Sequence, residues 1–190
     1  MYQTLSADVR FHQLLFNFDH DMADAARDQG CSCGGVLHSG RYQRKARGLP
    51  AGLDRQAYCW RFSFCCAVDG CRQRATPPSL RFLCRRVYLA TMVVLISAMR
   101  DGATAPRVAR LSELFGVSRR TLARWRDWWR AALVESRFWQ AARAALIPPV
   151  DQHRLPASLL ERFAGGGADQ LLALLHFLAP ITGGAAVHVW

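Results

Sequence analysis

Cys31 and Cys33 stand one residue apart ahead of Gly34 and Gly35, and Cys65, Cys66 and Cys71 follow 32 to 40 residues later within FCCAVDGCRQR. Thiolates are soft ligands, and four of them at tetrahedral angles make a structural Zn2+ set. Two short cysteine knuckles joined by a strand-rich insert form the pattern of a zinc ribbon, in which the metal replaces a core too small to stand alone. Each knuckle needs a tight turn that carries backbone N–H groups to the sulfurs, and the glycines at 34, 35 and 70 fall where such turns belong. Cys31, Cys33, Cys66 and Cys71 are the ligands this pattern selects. The knuckles are C-x-C and C-x4-C rather than C-x2-C, which leaves Cys65 as a substitute for Cys66 and His38 as a substitute within the first pair. Cys59 and Cys84 lie in aromatic or basic runs and read as incidental thiols. Four protein ligands leave no open coordination position, so the metal is structural.

Two basic elements accompany the cysteines. Arg41, Arg44, Lys45 and Arg47 follow the first knuckle between Gly40 and Gly48, without helical apolar spacing, and suit phosphate contacts. The second element is RVARLSELFGVSRRTLARWRDWWR, Arg107 to Arg130, which has the layout of a helix-turn-helix. Leu111, Leu114 and Phe115 close a first helix, Gly116 makes the turn, Val117 packs beneath it, and Ser118 is an N-cap. Leu122 and Trp125 repeat on the inward side of the second helix. Ser118, Arg119, Arg120, Ala123 and Arg124 then face outward at its start, and Arg120 and Arg124 are one turn apart. The aromatics that follow, Trp128, Trp129, Phe138 and Trp139, have the spacing of a core face.

The elements that must position these residues follow from the patterning. Residues 8 to 29 place Phe11, Leu14, Leu15 and Phe18 at helical spacing, with Gly30 as the stop, and Asp19, Asp21, Asp24 and Asp28 predict a solvated acidic face. From Cys31 to Pro78 short alternating pieces such as AYCWRFSFCC suit strands of a small sheet. Helical patterning resumes over Leu80 to Met99, Pro106 to Phe115, and Ser118 through the Trp-rich stretch to Leu146. Beyond Pro148 and Pro149 come an amphipathic piece at Leu155 to Phe163, a glycine linker at 165 to 167, and an apolar helix at Leu171 to Leu178. The expected organisation is an N-terminal helix (1–30), a ribbon-like segment (31–78), a helix-turn-helix domain (79–147) and a C-terminal helical extension (148–190). The fold class is mainly α with a small β zinc ribbon.

Bulk properties narrow the partner. The 190 residues are 51% hydrophobic, enough for a core. A formal charge of +11 attracts polyanions, and the acidic residues ahead of Cys31 leave the remainder more basic still. Lys45 is the only lysine, so weight falls on the charge excess and not on the choice of Arg. The longest apolar run, Val87 to Met99, has 13 residues, short of the roughly 20 that a spanning helix needs. The first twenty residues lack a basic leader, apolar run and small-residue cleavage site, which predicts a cytoplasmic protein in reducing surroundings.

The string GVSRRTLARW resembles the helix-turn-helix of bacterial transposases and their accessory proteins, and a cysteine ribbon ahead of it is similar to the N-terminal regions of several insertion-sequence proteins. The likeness covers roughly Cys31 to Arg130. It implies zinc on Cys31, Cys33, Cys66 and Cys71, and DNA contacts from Arg119, Arg120 and Arg124. The chain departs from that family in knuckle spacing and in lacking a catalytic domain. A nuclease of the two-metal type would gather carboxylates at strand ends, whereas Asp101, Glu113, Asp127, Glu135, Asp151, Glu161 and Asp169 fall in expected helices or loops. The expectation is a non-enzymatic, zinc-containing, sequence-specific binder of double-stranded DNA. It would be nucleoid-associated and serve as an accessory factor of a mobile element, with a transposase or recombinase as a further candidate partner. A transcription regulator, a small nuclease or recombinase subunit, and an adaptor docking on a larger recombinase stand as alternatives.

Overall fold

The computed structural model describes residues 2–83, 88–97 and 104–183. Helix α1 (Tyr2–Ala7) turns at Asp8 into the long helix α2 (Val9–Gln29). Asp8 makes that start, because its carboxylate accepts the backbone N–H groups of Arg10 and Phe11 at 2.8 and 3.3 Å. These are donors that no preceding helical turn can satisfy. The buried stripe of α2 is Phe11, His12, Leu15, Asp19 and Ala23. Asp19 therefore departs from the expected solvated acidic face: it is fully buried, while Asp21 and Asp28 are exposed and Asp24 pairs with Arg27 at 3.0 Å.

The reason lies 60 residues downstream. Asp19 accepts the Ser79 hydroxyl at 2.5 Å, the Leu80 backbone N–H at 2.6 Å and the Arg81 Nε–H at 2.8 Å. Arg81, itself fully buried, donates its other nitrogens to the carbonyls of Tyr58 and Trp60 at 2.5 and 2.9 Å. Its guanidinium is enclosed by Phe16, Phe82, Tyr58 and Phe62, 4.7 to 5.4 Å from the ring centres. A buried charge is tolerated when it is paired and its donors are satisfied. Here one such pair joins α2 to the segment that holds the cysteines.

That segment is built on short antiparallel strands. β1 (Leu37–Ser39), β4 (Phe64–Cys66) and β5 (Arg74–Ala75) form one sheet in the order β1-β4-β5, with Leu37 opposite Cys66 and His38 opposite Cys65. β2 (Tyr42–Gln43) pairs with β3 (Trp60–Arg61) in a second ladder. Between them lies a loop ending in a one-turn helix, α3 (Arg55–Tyr58), where the sequence pattern suggested strand. Asp54 starts it by accepting the N–H groups of Gln56 and Ala57 at 2.8 and 3.3 Å. Ala23, Leu37, Phe64 and Cys66 make a small core beneath the sheet.

The remaining helices share a larger core that runs from Phe11 to Ala179. At its centre is α4 (Ala90–Ser97), apolar on every side and buried from Ala90 to Ile96, packed against α1, α6 and α9. It starts later than the patterning suggested: Ser79 to Leu83 is irregular, because the Leu80 N–H is taken by Asp19 and Phe82 bridges to Leu89. Cys84, with the rest of 84–87 and 98–99, lies outside the described residues. Next come α5 (Ala105–Phe115) and α6 (Arg119–Asp127), joined by a three-residue turn. The chain continues from α6 through one wide turn at Trp128–Ala132, with the Leu133 N–H reaching back to the Trp128 carbonyl at 2.8 Å. An ideal α-helix lets positions four apart drift round its axis, and a wider turn reverses that drift. Trp125, Trp129 and Leu133 consequently all face the core. Helices α7 (Arg137–Ala142), α8 (Ala157–Leu160) and α9 (Gly167–Leu178) complete the layer, with Trp139 fully buried and Trp128 and Phe138 half-buried. Among the described residues no helix is long and apolar enough to cross a membrane.

Candidate metal centre and basic surface

The cysteines at 31, 33, 66 and 71 converge, their sulfurs all within 4.8 Å of one another. Cys31 and Cys71 sulfurs are 3.7 Å apart, and those of Cys33 and Cys66 are 3.5 Å apart. A tetrahedral site with Zn–S bonds of about 2.3 Å has sulfur–sulfur edges of about 3.8 Å, so the cluster has the size of a metal cage. Strand alternation excludes the two substitutes. Cys65 and His38 face each other on the side of the β1–β4 pair opposite Cys66, and the Cys65 thiol lies 3.7 Å from the Arg72 carbonyl. Cys59 is buried in the larger core, away from the cluster.

Local backbone geometry serves the sulfurs. The N–H of Val68 donates to the Cys66 sulfur at 3.4 Å, and the N–H groups of Cys33 and Gln73 stand in the same two-residue relation to Cys31 and Cys71. Such donors favour thiolate. Gly35 admits no side chain: a Cβ there would stand 2.5 Å from Val68 Cγ2, 2.8 Å from the Cys66 sulfur and 3.3 Å from the Cys33 sulfur. The thiols do not ionise alike. Hydrogen bonds from the backbone and side chain of Cys33, then from the thiols of Cys71 and Cys66, draw Cys31 down to about 7 against the opposing effect of burial. Cys66 receives the Val68 N–H, yet burial and the thiols of Cys33, Cys31 and Cys71 push it up to about 12. Cys71 is likewise raised: the Gln73 N–H is its largest single influence and lowers it, but the Cys33 thiol, burial and the Cys31 thiol together outweigh that. Cys31 thus ionises more readily than Cys66 and Cys71, whose protons a bound cation would displace.

The basic residues are held by aromatic rings. Arg41 lies over Trp60 at 5.7 Å, Arg44 over Phe82 at 5.8 Å and Arg47 over Tyr88 at 5.9 Å, with Lys45 exposed between them. At such surface sites a cation–ring contact is worth about 0.5 to 1 kcal/mol and biases the guanidinium towards the ring. On the other element, Gly116 takes the left-handed conformation, φ 64°, that lets the chain reverse between α5 and α6. The Ser118 hydroxyl accepts the Thr121 N–H at 3.3 Å and caps α6. Thr121, Leu122 and Trp125 are buried, and Arg119, Arg120, Ala123 and Arg124 are exposed. The side chains of Leu111, Leu114 and Phe115 lie outside the described residues.

Tyr88 joins the two basic elements, and nothing in its sequence context announces it. Its hydroxyl donates to the Gly116 carbonyl at 2.7 Å, its ring meets Trp125 edge-on at 5.1 Å, and its outer side carries Arg47. The Leu89 N–H bonds the Arg47 carbonyl at 3.2 Å, which docks the basic loop beside the α5–α6 turn. Arg55 is a second residue that spacing alone leaves unremarked. No protein-family model, curated protein or solved structure matches the chain.

Proposed function

We propose that this chain is a zinc-stabilised, sequence-specific DNA-binding protein in which α5, the Gly116 turn and α6 act as a helix-turn-helix, with α6 the reading helix. The observation that carries the reading is the division of α6 into a buried side of Thr121, Leu122 and Trp125 and an exposed side of Arg119, Arg120, Ala123 and Arg124. A capped helix of that kind fits the major groove, where a guanidinium pairs with guanine O6 and N7. Ser118, at the cap, adds a hydroxyl at the groove edge. Arg41, Arg44, Lys45 and Arg47 meet phosphates, which position the duplex without specifying sequence. Zinc on the four cysteines is structural. The setting we favour is that of an accessory factor of a mobile element, on the motif resemblance and the +11 charge. In keeping with a binding role, three carboxylates of the C-terminal region have structural partners: Asp151 caps a helical turn, Glu161 pairs with Arg154 at 2.9 Å, and Asp169 accepts the Gly166 N–H at 3.0 Å.

The test is selection of a preferred duplex from random sequence with zinc-loaded protein, followed by Arg120→Ala. The substitution should cost about 1 to 3 kcal/mol on the preferred duplex and little on scrambled DNA. Selection that yields no preferred sequence, or equal weakening on both duplexes, would remove α6 from the reading role.

A further inference from the structure

Beside the α5–α6 turn lies a surface cleft of about 510 Å³ whose walls include Ser6, Arg47, Gly48, Pro50, Arg55 and Gly116. A second, of about 310 Å³, adjoins it and shares Arg47 and Arg55, adding Arg44 and Lys45. Four cationic side chains therefore follow one path from the β2 strand to Gly116, two residues before the cap of α6. The two acidic groups closest in sequence to this path are already engaged: Asp8 caps α2 and Asp54 caps α3. Arg55 is exposed, and its Nη1 donates to the Ala46 carbonyl at 3.3 Å, which sets its guanidinium at the junction of the two clefts.

We infer that this double cleft seats the sugar–phosphate backbone of the same duplex that α6 reads, with Arg55 and Arg47 as the phosphate-binding pair. The inference rests on the proposed DNA-binding role and adds to it a residue and a footprint. Two features favour a polymer over a small anion. The cationic path is long and open, whereas a single phosphate would be met by convergent donors. Its end abuts the α6 cap through Gly116, so a strand lying in it continues along the edge of the groove that α6 enters. Tyr88 fixes the spacing between the two contacts, because it holds Arg47 on its ring and the turn on its hydroxyl.

The experiment measures duplex affinity against salt for the zinc-loaded wild type, Arg47→Ala/Arg55→Gln, Arg55→Gln, Arg55→Lys and Arg120→Ala. Glutamine keeps a polar, hydrogen-bonding side chain at position 55 but carries no charge. We expect Arg47→Ala/Arg55→Gln to weaken preferred and scrambled duplexes by the same factor and to lower the salt slope by about 1 to 2, at roughly 0.9 for each phosphate that is no longer neutralised. Arg55→Lys should keep most of the slope. Single methylphosphonate linkages walked along the preferred duplex should reveal a position, outside the bases read by α6, where neutralisation weakens wild type but not the double variant. An unchanged slope, or Arg55→Lys behaving as Arg55→Gln, overturns the inference. So does inorganic pyrophosphate occupying the clefts while duplex affinity is indifferent to both arginines, since the site would then serve a free anion. The DNA-binding role is judged separately: if Arg120→Ala abolishes sequence preference while the cleft variants bind as wild type, only the inference fails.

Discussion

Gly35 is the residue on which the thiol cluster has least latitude. Because an added methyl would enter the space of the Cys66 and Cys33 sulfurs and of Val68, Gly35→Ala should weaken zinc binding by about ten-fold or more, as changes just outside a ligand set commonly do. Gly40→Ala is the control, its nearest neighbours standing 3.8 Å away. Competition with a chromophoric chelator measures both, and equal affinities for the two variants would show that Gly35 does not constrain the ligand set. At this scale the cysteine set was legible in the sequence, since thiols flanked by turn-forming glycines have few shared roles. Asp19 was not. A carboxylate among other aspartates on a helix reads as solvated, and the groups that hold it arrive from residues 79 to 81, with no local trace in α2.

Among the elements, the junction of α1, α2 and α3 turns on His12. In its neutral form the ring donates from Nε2 to the Ser6 carbonyl, 3.1 Å, and accepts the Tyr58 hydroxyl at Nδ1, 2.9 Å. Burial lowers its pKa, and the Ser6 carbonyl and Asp8 only partly oppose that. The unfolded chain therefore takes up the proton first. Stability is complete above the ordinary histidine value of about 6.5 and falls as pH drops below it towards the lower folded value, by at most about 1.4 kcal/mol per pH unit. Denaturant titrations between pH 7.5 and 5.5 should show a slope in wild type that His12→Gln flattens; His176, exposed on α9, is lowered in the same sense and remains in both. Identical slopes would place the pH dependence elsewhere. Helix α2 was legible from its apolar spacing and the Gly30 stop, and α6 from its Ser118 cap. The one-turn α3 and the late start of α4 were not: Asp54 caps a helix too short to show periodicity, and Leu80 gives its N–H to a residue in another helix.

For the molecule as a whole, sequence conveyed composition, charge and the order of textures, but not the sharing of one core from Phe11 to Ala179. That sharing depends on contacts between residues far apart in the chain, for which a single sequence carries no signal. Nor did patterning reveal Tyr88 as the joint between the basic loop and the α5–α6 turn, because a tyrosine at the edge of an apolar run looks like core.

The buried pair of Asp19 and Arg81 has a consequence for motion. Removing one partner of such a pair costs about 3 to 5 kcal/mol, and any swing of the strands against α2 would have to part the same groups while also stripping the Tyr58 and Trp60 carbonyls of their donors. A cysteine-bearing module appended to a helical domain by a linker would tumble on its own. This one should not: backbone 15N relaxation of the zinc-loaded protein is expected to give a single rotational correlation time for amides of residues 31–75 and 119–178. Two distinct times would mean that the ion pair opens in solution and that the ribbon turns independently of the helices that carry α6.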